Sequence, residues 1–191
     1  MKKLVIKTAL ISFASVVAAL ALAFGIASLA FPKWMSGLCE DMGNYRLAAS
    51  YAERQYGYSG GTGDLYRCAR LYIRVGDRDN IIKYCGELVE KQDFEDVCDE
   101  NTQYIYCNYA TALYLSGDAE KAITVAEMSV SRGFEVPNAY ADLTVKAVEN
   151  NDKEFGADLL ASFLKIEVPE KESCIAFANA VKNQLEALIG G

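Results

Sequence analysis

Tyr66, Arg67, Arg70 and Arg74 crowd into one short stretch, and at four-residue steps Tyr66, Arg70 and Arg74 share one face of a helix. Guanidinium forks match carboxylates in geometry and charge, so this face could receive a peptide carboxylate or an acidic side chain. The competing use of the same charges is to neutralise Asp64, Asp77 and Asp79 nearby. Covalent chemistry has less to draw on. The chain has no histidine, which removes the usual general base, the usual activator of a nucleophile and the commonest metal ligand. Cys39, Cys68, Cys85, Cys98, Cys107 and Cys174 include no pair at zinc-ribbon spacing, and no partner is evident that would turn one into a thiolate. No catalytic residue, cofactor or metal ion is therefore expected. An enzyme using cysteine chemistry would have to reveal itself through one unusually reactive thiol.

An even cysteine count permits disulfides outside the cytoplasm. Cys68 and Cys85 fall in columns that face each other across a helical hairpin, and Cys98 precedes Cys107 closely. Most of the six are expected to be free, because small buried hydrophobes suit helix-packing columns and a stack with a sizeable core needs no staples. Acidic residues gather at Asp93, Glu95, Asp96, Asp99 and Glu100 without the spacing or central glycine of a calcium loop, so a solvated, extended connection is expected there. Gly57 to Gly63 is glycine-rich but lacks the lysine-serine ending of a phosphate-binding loop, and reads as a turn.

The elements that position these residues announce themselves at their corners. Gly43-Asn44, Gly76-Asp77, Gly117-Asp118 and Asn151-Asp152 recur at intervals of 33, 41 and 34 residues. Glycine or asparagine supplies the left-handed residue that ends one helix, and the Asp or Asn beside it caps the next. Upstream of the corners a large residue, a small one and a further apolar residue recur as Tyr109-Ala110 with Leu113, Cys68-Ala69 with Tyr72, Leu143-Thr144 with Ala147 and Met35-Ser36 with Cys39. Downstream, Ala48, Ile81, Ala122 and Gly156 hold the position where the second helix must approach the first. Apolar residues at three- and four-residue steps make both helices of each hairpin amphipathic. A fixed period in this range signals a stack of helical hairpins, and the long interval carries an insertion of about seven residues within 92–101.

The pattern resembles the tetratricopeptide repeat (TPR) family: Tyr106, Tyr109, Ala110 and Leu113 echo its first-helix signature, and Gly117-Asp118 with Lys121-Ala122 echo its turn. The large aromatic late in the family's second helix is replaced here by Ala52, Cys85, Ala126 and Leu160, and most closing prolines are missing. The resemblance implies an all-α fold, an α-solenoid of about four TPR-like helix-turn-helix units. It also implies that ligands lie along a groove lined by the first helices. Projected onto this chain, that groove would contain Tyr66, Arg67, Arg70 and Arg74, followed by Tyr104, Cys107, Thr111 and Tyr114. The family's carboxylate-clamping lysine and asparagine pattern is not reproduced, so a chaperone C-terminus is not implied. After Pro169, the acidic first turn Glu170-Lys171-Glu172 and the stripe Ala178, Val181, Leu185, Leu188 form a C-terminal capping helix.

One segment stands apart. Thr8 to Phe31 carries no charge and is long enough to cross a hydrocarbon core of about 30 Å. Its length favours a retained signal anchor over a cleaved signal peptide, whose apolar stretch is usually about 7–15 residues. Ser28-Leu29-Ala30 keeps cleavage open. Within the span Ser15, Ala19, Ala23 and Ala27 form a small-residue stripe, as alanine-rich spans often do by composition alone. Lys2, Lys3 and Lys7 before the span place the N-terminus in the cytoplasm and the bulk outside. The expected division is a transmembrane anchor over 1–31 and a helical repeat domain over 32–191, with Pro32 opening the first helix almost directly. From Pro32 onward 16 basic residues face 26 acidic ones, a net of −10, which repels phosphate backbones and anionic lipid and argues against nucleic acid as a partner.

These features point to a single-pass, membrane-anchored adaptor that docks a protein or peptide partner outside the cytoplasmic membrane. The alternative is a structural subunit of a membrane-associated secretion or cell-envelope complex. A monomer after detergent extraction would favour the first, comigration with a fixed complex the second.

Overall fold

The computed structural model of the chain describes residues 2–132 and 138–191, with side chains from residue 10 onward. Lys2, Lys3 and Lys7, which set the expected orientation, thus lie outside the described side chains. The described residues are all-helical, with no strand among them. Helix α1 (Lys2–Ala30) contains the apolar run and is followed after Phe31 by α2 (Pro32–Asp41). Pro32 sits in the first turn of α2, where its missing N–H costs nothing. Then come α3 (Tyr45–Ser59), α4 (Thr62–Val75), α5 (Arg78–Val89), α6 (Phe94–Cys98), α7 (Thr102–Leu115), α8 (Ala119–Ser131), α9 (Asn138–Glu149), α10 (Lys153–Phe163) and α11 (Glu172–Gly190).

All four corners bend by one mechanism. Gly43, Gly76, Gly117 and Asn151 have φ of 75°, 72°, 86° and 50°. At each, the next amide donates back five residues, Asn44 to Cys39, Asp77 to Tyr72, Asp118 to Leu113 and Asp152 to Ala147, which satisfies carbonyls the ending helix leaves open. The following helix is then capped by the Asn44, Asp77, Asp118 or Asp152 side chain, which accepts from the amide of Leu47, Asn80, Lys121 or Phe155. A helix end and a helix start are thereby fixed within two residues.

Packing follows chain order. Hairpins α2–α3, α4–α5, α7–α8 and α9–α10 each close on themselves, α3 lies on α4, α5 on α7 and α7 on α9, and α11 covers α9 and α10. The column after each corner is buried at Ala48, Ile81 and Ala122. At Gly156 an added Cβ would stand 2.8 Å from Leu188 Cδ2, so the glycine is what admits α11. Late in the second helices of the first three hairpins, Ala52, Cys85 and Ala126 are fully enclosed. The α3–α4–α5 junction is tied by Glu53, which accepts from Tyr72 at 2.8 Å and from Tyr84, whose rings stack with centroids 5.3 Å apart.

Two expectations are corrected. The insertion at 92–101 is not an extended solvated connection: it folds as α6 and a 3₁₀ turn at Asp99–Asn101, with Phe94 and Cys98 buried. Phe94 meets Tyr106 edge to face at 5.6 Å, and that apolar contact stabilises a helix too short to persist alone. The turn between α3 and α4 is also shorter than Gly57–Gly63. Only Gly60, left-handed at φ 63°, and Gly61 leave the helices, while Gly57 and Gly63 are helical.

Candidate functional site

Helix α4 presents its arginines because its other face is needed inside. Leu65, Cys68, Ala69, Leu71 and Tyr72 are buried, which turns Tyr66, Arg67, Arg70 and Arg74 toward α2 and solvent. Their shared partner is Glu40 of α2. Its carboxylate lies 2.7 Å from Arg67, 2.8 Å from Arg70 and 3.9 Å from Arg74. Arg67 also donates from Nε to Ser36 Oγ at 3.1 Å, and the Arg74 guanidinium lies 4.5 Å above the Tyr45 ring. The nearby aspartates are not the counter-ions. Asp64 accepts from Gln55 and Ser59, Asp77 caps α5, and Asp79 is exposed.

One carboxylate among three guanidinium groups leaves net positive charge, to which Lys33 adds. A cavity of about 490 Å³ opens beside Lys33, Tyr66, Arg67 and Arg70. A second, of about 760 Å³, is lined by Asp99 and Glu100 of the 3₁₀ turn, Tyr104 and Cys107 of α7 and Asp142 of α9. Tyr66 lines the first and Tyr104 the second, near enough that the two hydroxyls interact electrostatically. Burial pushes the Tyr66 hydroxyl above its usual pKa, with Cys98, Tyr104 and Glu100 adding and Arg70 opposing. Burial likewise raises that of Tyr104, against the pull of Arg74 and Arg70. The face therefore runs from a basic end at α2 and α4, across Tyr66 and Tyr104, to an acidic end at the 3₁₀ turn and α9.

Tyr66, Arg67, Arg70, Arg74, Tyr104 and Cys107 thus come together on this face, although Cys107 is buried and contributes little surface. Thr111 is half-buried one turn further along α7 and lines neither cavity. Tyr114 is turned inward. Its ring stacks on Phe155 at 4.3 Å, and its hydroxyl donates to Asp152 and accepts from Asn150 at the fourth corner. Spacing alone does not disclose the arginines' partner. In the sequence Glu40 is marked only as the acidic residue one turn past Ser36, on the helix that faces α4. Nor does spacing disclose the acidic end, because Asp142 comes from α9 and Asp99 and Glu100 from the turn before α7.

The six cysteines are free and buried. Burial pushes the thiols of Cys68, Cys98 and Cys107 up to about 12 and raises those of Cys39 and Cys85. These five stay protonated near neutral pH, the unreactive form. Among the described residues no three Asp, Glu, Cys or His side chains gather as a metal site.

Set against models of known protein families and against curated proteins, the chain matches none.

Proposed function

We propose that the chain is a membrane-anchored adaptor whose TPR-like hairpins dock a segment of another protein outside the cytoplasmic membrane. The four identically built corners and the chain-order packing support a repeat stack, and α1 is long and apolar enough to anchor it. The observation that carries the binding role is the two-ended face. Lys33, Arg67 and Arg70 at one end and Asp99, Glu100 and Asp142 at the other flank Tyr66 and Tyr104. A segment lying across it would be held by contact area on the tyrosines and oriented by charge, acidic end on α4 and basic end on the 3₁₀ turn and α9.

The test is a photoreactive residue at Tyr104 in intact cells, which should yield one discrete adduct. Arg70→Gln with Arg74→Gln should abolish it. Neutral replacements are preferred because glutamates there would confront Glu40. An undiminished adduct refutes docking on this face.

A further inference from the structure

At the exit of α1, three large aromatic side chains point into solvent. Phe31 is 61% exposed, Trp34 60% and Tyr58 68%, whereas among the described residues after α1 Tyr104 is the one other exposed ring. Phe31 and Trp34 belong to the junction of α1 and α2, but Tyr58 comes from the end of α3. The hairpin brings it back. Helix α3 runs antiparallel to α2, with Ser36 Oγ donating to the Ala48 carbonyl at 2.9 Å, and it continues past the start of α2. Arg54 then donates to the carbonyl of Ser28, in the last turn of α1, at 2.9 Å. Tyr58 lies four residues beyond Arg54 on the same face, about 6 Å further in the direction of the apolar run. Of residues 10–30, Gly25, Ala27 and Ser28 are half-buried and the others exposed, and Ala27 packs on the core.

The charges around these rings run against the rest of the domain. Lys33 and Arg54 are exposed, and no carboxylate occurs from residue 10 to 39 or from 54 to 63. Aromatic rings with long cationic side chains are the composition that settles at the boundary between hydrocarbon and headgroups. We infer that Phe31, Trp34 and Tyr58, with Lys33 and Arg54, form a collar seated in the outer interface of the bilayer that α1 crosses, so that the domain stands on the membrane in one posture. The occupant is the phospholipid interface, recognised by burial of rings and by phosphate and carbonyl acceptors. This rests on α1 spanning the bilayer. The charge of the whole domain disfavours general adsorption, and the collar confines contact to one edge.

Trp34 is the chain's single tryptophan, so it reports alone. The full chain is reconstituted into phosphatidylcholine vesicles carrying bromine at a shallow or a deep acyl position. Alongside it goes Trp34→Phe with Tyr58→Trp, whose indole replaces a mostly exposed ring and disturbs no core contact. Shallow bromine should quench the indole at position 58 as strongly as Trp34 in the native chain, with blue-shifted emission and less quenching by deep bromine. Resistance to alkaline extraction monitors α1, and helical circular dichroism monitors folding. If the protein resists extraction but position 58 emits as in water, the collar is refuted and the anchor stands. If alkali releases the protein, both fall.

Discussion

Replacing Glu40 by glutamine keeps the shape of the side chain and removes the one negative charge that three arginines share. The size of the effect follows from exposure. The Glu40 side chain is 17% exposed and that of Arg67 26%, so their 2.7 Å contact is a largely dehydrated, charge-assisted hydrogen bond, for which about 1.5–2 kcal/mol is reasonable. Arg70 is 38% exposed, and its contact falls to about 0.5 kcal/mol. Arg74, 54% exposed at 3.9 Å, contributes close to nothing. The guanidinium groups keep access to water once the carboxylate is gone, so the larger penalty of a stranded buried charge does not apply in full. Glu40→Gln should therefore lower stability by about 2 kcal/mol. For a domain of this size that is a fall in Tm of about 4–8 °C, read by circular dichroism on the detergent-solubilised full chain. A double-mutant cycle makes the test sharper. Glu40→Gln with Arg67→Ala should couple by about 1.5 kcal/mol, and Glu40→Gln with Arg74→Ala by under about 0.3 kcal/mol. A loss below about 0.5 kcal/mol, or equal coupling in both cycles, would refute the assignment of Glu40 as the electrostatic centre of α2 and α4.

Gly117→Ala forces a side chain into a left-handed corner and should destabilise by about 1–2 kcal/mol, whereas Gly57→Ala, in a helix with nothing within 4 Å, should stabilise by about 0.5–1 kcal/mol; chemical denaturation of each variant checks the opposite signs. Phe94→Ala should lose about 3–5 kcal/mol and release α6, seen as faster amide exchange over 94–101. Burial first, and then the hydrogen bond to Glu53, hold the Tyr84 hydroxyl well above its ordinary 10.0. A raised folded-state pKa contributes stability that is complete below about pH 10 and lost as pH rises toward the folded value; an alkaline denaturation series should show this loss, and Tyr84→Phe should flatten it.

How legible the chain is depends on how far each signal reaches. The corners are written in adjacent residues, Gly117 then Asp118, because the left-handed turn and the side-chain cap are both satisfied within a few residues. Helical periodicity is equally local, which is why the burial of Leu65, Cys68, Ala69 and Tyr72 follows directly from their spacing. The insertion at 92–101 reads as polar because five of its residues are acidic, yet Phe94 and Cys98 lie four apart and find an apolar surface on α4 and α7. Two buried residues decide that segment against five solvated ones, since burying a ring outweighs leaving surface charges in water. Tyr114 illustrates the same limit. Its spacing on α7 continues the groove stripe, but the fourth corner places Asp152, Asn150 and Phe155 where they capture it. What spacing cannot supply is the register between hairpins, and register decides which charges meet. Glu40 reaches Arg67 from another helix, across 27 residues of chain, while Asp64, three residues from Arg67, turns to Gln55 and Ser59. In a stack of hairpins, local chemistry therefore specifies the rods and corners, and the charge pattern of the outer face emerges only when the rods are laid side by side.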